Sequence, residues 1–193
     1  MKILFINGSP RKTGYTSEVL RYIEKGISTE HDIEWVHAYD ISVSPCKSCM
    51  LCRPDKDCAL PTDDGHRVSH LIRNADALVI GSPTYFGNIS GPLKTLIDRS
   101  LTGFEEIAAN GLEMPLPLHK GKKSAMVTAC NMPGPASMLL NHAGGTLLVM
   151  ETILKAGGYD IAGSIVLEGA AAKKHIPEEI KEKALLLGKE LCR

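Results

Sequence analysis

Neither sign of charge dominates this sequence. Its 193 residues carry 22 lysines and arginines against 22 aspartates and glutamates. With no basic excess there is no footprint for nucleic acid, and no basic amphipathic helix marks a membrane surface. Long apolar runs are also missing. A membrane span needs roughly 18 apolar residues, and the best stretch, around 147–154, is cut by Glu151. The apolar run from Ile3 to Ile6 is too short for a signal-peptide core and meets Gly8 at once. The expected location is therefore the cytoplasm. Hydrolase readings lack their parts, because there is no Gly-x-Ser-x-Gly and no carboxylate pair in a crevice loop. Repeats, low-complexity segments and linkers are absent, and a chain of this size holds one full core, which predicts a single domain over 1–193.

What is present is an alternation of short apolar runs with helical periodicity. Residues 2–7, 75–80 and 123–129 read as buried strands, 33–38 as a half-exposed edge strand, and 159–167 as a last strand. Helices are expected over 16–27, from Asp63-Asp64 through Val68, Leu71 and Ile72, over 90–101 with Pro92 in the first turn, over 138–156, and over 177–191. Residues 103–121 read as irregular, suited to a lid or a subunit contact. The alternation predicts an α/β fold with helices on both faces of a five-stranded parallel sheet. The expected strand order is the doubly wound 2-1-3-4-5, with a ligand crevice outside the carboxyl ends of the strands.

Three turns fall at that crevice. The first, Gly8-Ser9-Pro10-Arg11-Lys12-Thr13-Gly14-Tyr15-Thr16-Ser17, feeds a helix N-terminus. Free N–H groups and the helix dipole favour a phosphate there. Ser9, Thr13, Thr16 and Ser17 add hydroxyls and Arg11 a charge; a plainly capped loop is the alternative, since Ser and Thr cap helices anyway. It is neither a Walker A motif nor Gly-x-Gly-x-x-Gly. The second turn is Pro83-Thr84-Tyr85-Phe86-Gly87-Asn88 and the third begins Thr128-Ala129-Cys130. Tyr85 and Phe86 can pack on a flat ring while Gly87 and Asn88 meet its polar edge. Each could be an ordinary turn; together they describe a site for a phosphate joined to a planar heterocycle.

In these segments the chain resembles the flavodoxin-like NAD(P)H-dependent FMN reductases, including the iron-sulfur flavoproteins. The resemblance rests on Ile6-Asn7-Gly8-Ser9-Pro10-Arg11 with Thr16, on 81–88, on Leu93-Lys94 with Ile97-Asp98-Arg99, and on Gly121-Lys122-Lys123. It implies FMN, with the phosphate on Ser9, Arg11, Thr16 and Ser17, the isoalloxazine against 83–88, and Thr128, Ala129 and Cys130 at another edge. It implies a structural, helix-anchoring role for Asp98 and Arg99. Tyr15 departs from the family, which usually has a small or polar residue there.

Four of the six cysteines, Cys46, Cys49, Cys52 and Cys58, share one long loop. In a reducing cytosol such clustering points to metal or redox chemistry. Compact spacings of this kind hold [4Fe-4S] centres and match the iron-sulfur flavoprotein motif; zinc and free thiols are the alternatives. Lys47, Arg53 and Lys56 can offset cluster charge or form a solvated face. His66 and His70 form an i, i+4 pair with no third partner in the sequence, and read as a solvated helix face.

Two functions are expected. One is an enzyme passing hydride from NAD(P)H through FMN to a small acceptor such as a flavin or quinone, with no residue needed as acid or base. The other is an electron carrier exchanging electrons with a ferredoxin-like partner through a [4Fe-4S] cluster. A non-redox nucleotide-binding regulatory module stands below both. The resemblance also implies a homodimer or homotetramer.

Overall fold

The computed structural model describes residues 1–52, 57–106 and 114–193. Five parallel strands make one sheet: β1 (Lys2–Asn7), β2 (Asp32–His37), β3 (Ala77–Pro83), β4 (Lys123–Ala129) and β5 (Asp160–Leu167). Their spatial order is β2-β1-β3-β4-β5, the order expected. The three inner strands are almost wholly buried, as continuous apolar runs must be when both faces are covered. β2 alternates between half-buried and exposed, as an edge strand does.

Seven helices flank the sheet among the described residues: α1 (Tyr15–Gly26), α2 (Asp64–Asn74), α3 (Gly91–Arg99), the one-turn α4 (Leu101–Phe104), α5 (Gly134–Leu139), α6 (His142–Ala156) and α7 (Glu178–Leu191). Val19, Leu20 and Ile23 of α1 and Ala184, Leu187 and Leu191 of α7 pack on one face, with Ile3, Phe5, Val79 and Val127. Val68, Ile72, Leu93, Leu96, Met150 and Leu154 cover the other, over Leu4, Ile6, Leu78 and Ile80. No helix among the described residues is long and apolar enough to cross a membrane.

Most element ends shift by one or two residues from the sequence reading, and three departures are larger or change the element. β3 starts two residues late and runs through the Gly81-Ser82-Pro83 turn residues, because pairing with β4 continues to Pro83↔Ala129. The long helix expected over 138–156 is two helices: Asn141 sits at φ 47, outside the right-handed helical region, and separates α5 from α6. Within 103–121, Gly103 and Phe104 close α4, and Glu105–Glu106 pairs antiparallel with Leu116–Pro117. The central part of the expected irregular segment, 107–113, lies outside the described residues.

Candidate functional site

The parallel register sets Asn7 beside Gly81 and Pro83 beside Ala129, so the turns after β1, β3 and β4 leave the sheet along one edge. The turn after β1 is built inward onto a single carbonyl. Arg11 O accepts from Ser17 Oγ at 2.6 Å, Gly14 N at 3.0 Å and Ser9 Oγ at 3.2 Å. Fully buried Asn7 braces this knot, its Nδ2 donating to Ser17 Oγ at 2.8 Å and its Oδ1 accepting from Ser9 N at 2.9 Å. In the sequence Asn7 stands out only as part of the Ile6-to-Arg11 motif; its hydrogen bonds to Ser17 and Ser9 make it the organiser of the turn, and its Nδ2 also lies 3.2 Å from His37 Nδ1.

The knot consumes the hydroxyls of Ser9 and Ser17 and leaves others open. α1 begins at Gly14 with no side-chain cap, so the N–H groups of Tyr15, Thr16 and Ser17 have no carbonyl of a preceding turn to meet. Among the described residues, the hydroxyls of Thr13 and Thr16 and the guanidinium of Arg11 carry no protein partner. Open first-turn donors, two unpartnered hydroxyls and one cation fit a phosphate group. Tyr15 is tied elsewhere, its hydroxyl donating to Lys173 O.

The turn after β3 is a two-residue hairpin. Tyr85 and Asn88 exchange both N–H···O bonds at 2.9 Å, and the central residues Phe86 and Gly87 have φ of 50 and 74, the signs a type I′ turn requires. The Phe86 ring is fully exposed and Tyr85 half so. α6 crosses this hairpin at Gly145, where a Cβ would stand 2.4 Å from Gly87 O; only glycine permits so close an approach. Beneath it runs a chain of hydroxyls: Thr146 Oγ1 donates to Thr84 Oγ1 at 3.0 Å, which lies 2.9 Å from Thr128 Oγ1. Thr146 was not singled out from the sequence, because nothing in its spacing links it to residue 84. Ala129 O accepts Thr84 N at 2.9 Å. Buried Cys130 turns its sulfur to Met132 O at 3.5 Å and Ser137 Oγ at 3.8 Å.

The cysteine loop leaves the carboxyl end of edge strand β2. Tyr39 at its start is pushed up in pKa by burial and then by neighbouring Tyr85, so the loop departs beside the hairpin. Ser48 and Met50 have φ of 50 and 61, winding the chain tightly between Cys46 and Cys52, and Ser48 N donates to Cys46 Sγ at 3.4 Å. Burial pushes the Cys52 thiol up, and Cys58, Cys49 and Cys46 each add to the rise. Cys52 thus lies within electrostatic reach of the other three cysteines. Four sulfurs on a single zinc would stand about 3.8 Å apart, and no three His, Cys, Asp or Glu side chains among the described residues are grouped for one ion. A cubane gives each thiolate its own iron, and four thiols at the spacing Cys46-x2-Cys49-x2-Cys52-x5-Cys58 are the donor chemistry such a centre takes. Lys47 is exposed; Arg53 and Lys56 lie outside the described residues.

The far end of this loop is clamped. Arg99, buried to 3% exposure, donates Nη1 to Cys58 Sγ and Nη2 to Asp63 Oδ1 at 2.8 Å. His66 does not lie on a solvated face: its Nδ1 accepts Asp63 N in a capping box, so Nε2–H donates to Cys58 O at 2.8 Å. His70 is exposed, 3.5 Å from Asp57. Burial pushes Asp63 up, but the Ser44 N–H, Arg99 and the Gly65 N–H together outweigh it, and the carboxyl lies below its ordinary range.

Strand order, crevice edge and phosphate-ready turn together define a flavodoxin-like α/β protein. Residues 1–147 match the family described as NADPH-dependent FMN reductase. An iron-sulfur flavoprotein of Archaeoglobus fulgidus is 44% identical over 102 residues, 52% of this chain and 49% of that protein. A second iron-sulfur flavoprotein of that organism is 33% identical over 193 residues, 100% of this chain and 79% of the relative. The chain spans about half the length of the first relative and of several others of that name. An azoreductase structure from Bacillus anthracis superposes with a TM-score of 0.69 at 17% identity, covering 99% of this chain and 98% of that one. The chain belongs to the NADPH-dependent FMN reductase family.

Proposed function

We propose that the protein is an FMN-containing oxidoreductase that takes hydride from NAD(P)H and passes electrons to a small acceptor. The observation that carries this reading is the pairing, along one sheet edge, of a turn with open phosphate donors and a hairpin with an exposed aromatic ring. Arg11, Thr13 and Thr16 side chains, with the first-turn N–H groups of Tyr15, Thr16 and Ser17, would hold the phosphate; Ser9 and Ser17 shape the turn. Pro83, Thr84, Tyr85, Phe86, Gly87 and Asn88 would bear on the ring, with Thr128, Ala129 and Cys130 supporting them from β4. Bound FMN supplies the hydride-accepting chemistry. The protein's part is to bind, orient and shield, and no side chain is asked to transfer a proton.

The site would lie in a single domain over 1–193, in the cytoplasm. Exposed Phe86 of the hairpin, Met138 and Leu139 of α5, Leu140 after it and Leu148 of α6 form an apolar margin suited to a second copy of the chain, in a homodimer or homotetramer. Equilibrium dialysis with FMN, followed by anaerobic mixing with NADH or NADPH, tests the reading. Micromolar FMN binding and bleaching of the flavin band by either donor are expected; no binding refutes the site.

A second reading, an electron carrier with a [4Fe-4S] cluster on Cys46, Cys49, Cys52 and Cys58 serving a ferredoxin-like partner, is favoured by Cys52 lying within electrostatic reach of the other three cysteines. It adds to the first, since both use the same flavin site. Bleaching by dithionite but by neither nicotinamide would select the carrier.

A further inference from the structure

We propose that Arg99 is a positioning residue that fixes Cys58 and raises the reduction potential of a cluster bound to the cysteine loop. The inference rests on the cluster reading above and goes beyond it by assigning a residue outside the loop to the cluster's tuning.

Three features single out Arg99. Its side chain is wholly shielded, with 0% exposure, although a guanidinium seldom tolerates burial without a strong reason. Its partners among the described residues are the carboxylate of Asp63 and the sulfur of Cys58, and its buried Nε has no hydrogen-bond partner among them. A residue that served only to anchor α3 would need no sulfur contact. Cys58 is in turn held at both ends, by Arg99 at Sγ and by His66 at its carbonyl oxygen. Cys46 and Cys49 are exposed, with Ser48 N on Cys46 as the local bond.

The electrostatic consequence has a definite sign. Reducing a thiolate-bound cluster adds negative charge, and a buried N–H donor and cation at a ligating sulfur favour the more negative state. Asp63 offsets part of that field, since its Oδ1 stands 2.8 Å from Arg99 Nη2. Asp63 is also positioned to accept Ser44 N at 2.9 Å and Gly65 N at 2.9 Å. The Arg99–Asp63 pair therefore joins the loop before the cysteines, the last loop cysteine and the end of α3 in one charged knot. Opposite shifts follow from its two members. Arg99→Gln removes the cation and should lower the potential. Asp63→Asn keeps a capping side chain but removes the opposing charge, and should raise it.

The test is a redox titration, followed by EPR, of anaerobically reconstituted parent, Arg99→Gln, Arg99→Lys and Asp63→Asn, with iron, sulfide and FMN counted in each. For Arg99→Gln the one-electron reduction equilibrium of the cluster should fall at least tenfold, about 59 mV, while the flavin potential moves less. Arg99→Lys should recover part of the loss, and Asp63→Asn should move the potential upward. Should Arg99→Gln fail to hold iron, Asp63→Asn decides: no rise overturns the proposal. Retained iron with an unmoved potential in Arg99→Gln overturns it as well, leaving the cluster reading intact. FMN without any iron in the parent defeats the cluster reading itself, and this assignment with it.

Discussion

The turn after β1 and the loop after β2 leave the sheet from neighbouring strands, yet they are held in opposite ways. The first is braced from within by Asn7, Ser9, Ser17 and Gly14 converging near Arg11 O. Its shape exists before any ligand arrives, and it leaves the hydroxyls of Thr13 and Thr16 and the first-turn N–H groups of α1 without partners among the described residues. The second is gripped at its margins, by Ser42 and Ser44 on Asp64 and Asp63 and by Cys58 on Arg99 and His66. Between these anchors lie exposed Cys46 and Cys49 and two residues at positive φ. A preformed turn binds without reorganisation, whereas four cysteines can be thiolates together only where a bound centre offsets their mutual repulsion. The flavin side should therefore survive changes on the cysteine side.

The sharpest break would come from Cys49→Ser. After anaerobic reconstitution the parent should carry about four irons per chain and the variant essentially none, while FMN affinity changes by less than about threefold. Loss of FMN along with iron would mean that the two regions form one unit. Next in size is Asp63→Ala, which leaves buried Arg99 without its carboxylate and α2 without its cap. A loss of about 3 kcal/mol is expected by chemical denaturation, with Asp63→Asn losing less. The folded carboxyl lies below its ordinary value of 3.8. Its contribution is thus complete above that pH and disappears as pH falls through the lower folded value, so the acid limb of stability should be shallower in Asp63→Asn than in the parent.

On the flavin side, Thr16→Asp tests the turn after β1. Thr16 is buried in the first turn of α1, where the helix dipole offsets part of the cost of placing a carboxylate, so a denaturation midpoint measured alongside binding keeps the two effects apart. The same carboxylate stands where the phosphate is proposed, and FMN affinity should fall about tenfold or more, some 1.4 kcal/mol, with iron content unchanged. Unaltered FMN binding by dialysis would remove the phosphate from this turn.

The sequence made these two regions unequally legible. Buried strands announce themselves as continuous apolar runs, and 2–7 and 123–129 match β1 and β4 residue for residue. The turn after β1 is legible as a turn because its glycine, hydroxyls and helix start are contiguous. What escaped depends on contacts between distant residues. Arg99 meets Cys58 across 41 positions and Thr146 meets Thr84 across 62, and no periodicity connects such pairs. His66 was misjudged for the same reason: its i, i+4 relation to His70 is visible in the sequence, but the Cys58 carbonyl that accepts its proton is not. The break at Asn141 escaped because a left-handed residue between two helical patterns leaves their periodicity intact.

The smallest effect distinguishes strain kept for function from strain without use. Phe86 occupies the left-handed region at φ 50 with its ring fully exposed. An L-residue there costs about 1 kcal/mol or more, and the ring recovers nothing by burial in the isolated chain. Gly87 beside it bears the same kind of backbone without penalty. Phe86→Gly should therefore stabilise the fold by about 1 kcal/mol in denaturation midpoint analysis, because relief of strain exceeds the loss of an unburied side chain. If the ring serves as the platform for a flavin or nicotinamide, the same variant should bind more weakly, by several-fold, since stacking contacts are worth about 0.5–1.5 kcal/mol. A protein that is steadier and yet binds FMN and NAD(P)H less well would show the strain to be functional. Equal or tighter binding would instead make the exposed ring part of a contact with another copy of the chain, which sedimentation of parent and variant across concentrations would reveal as a shift toward monomer.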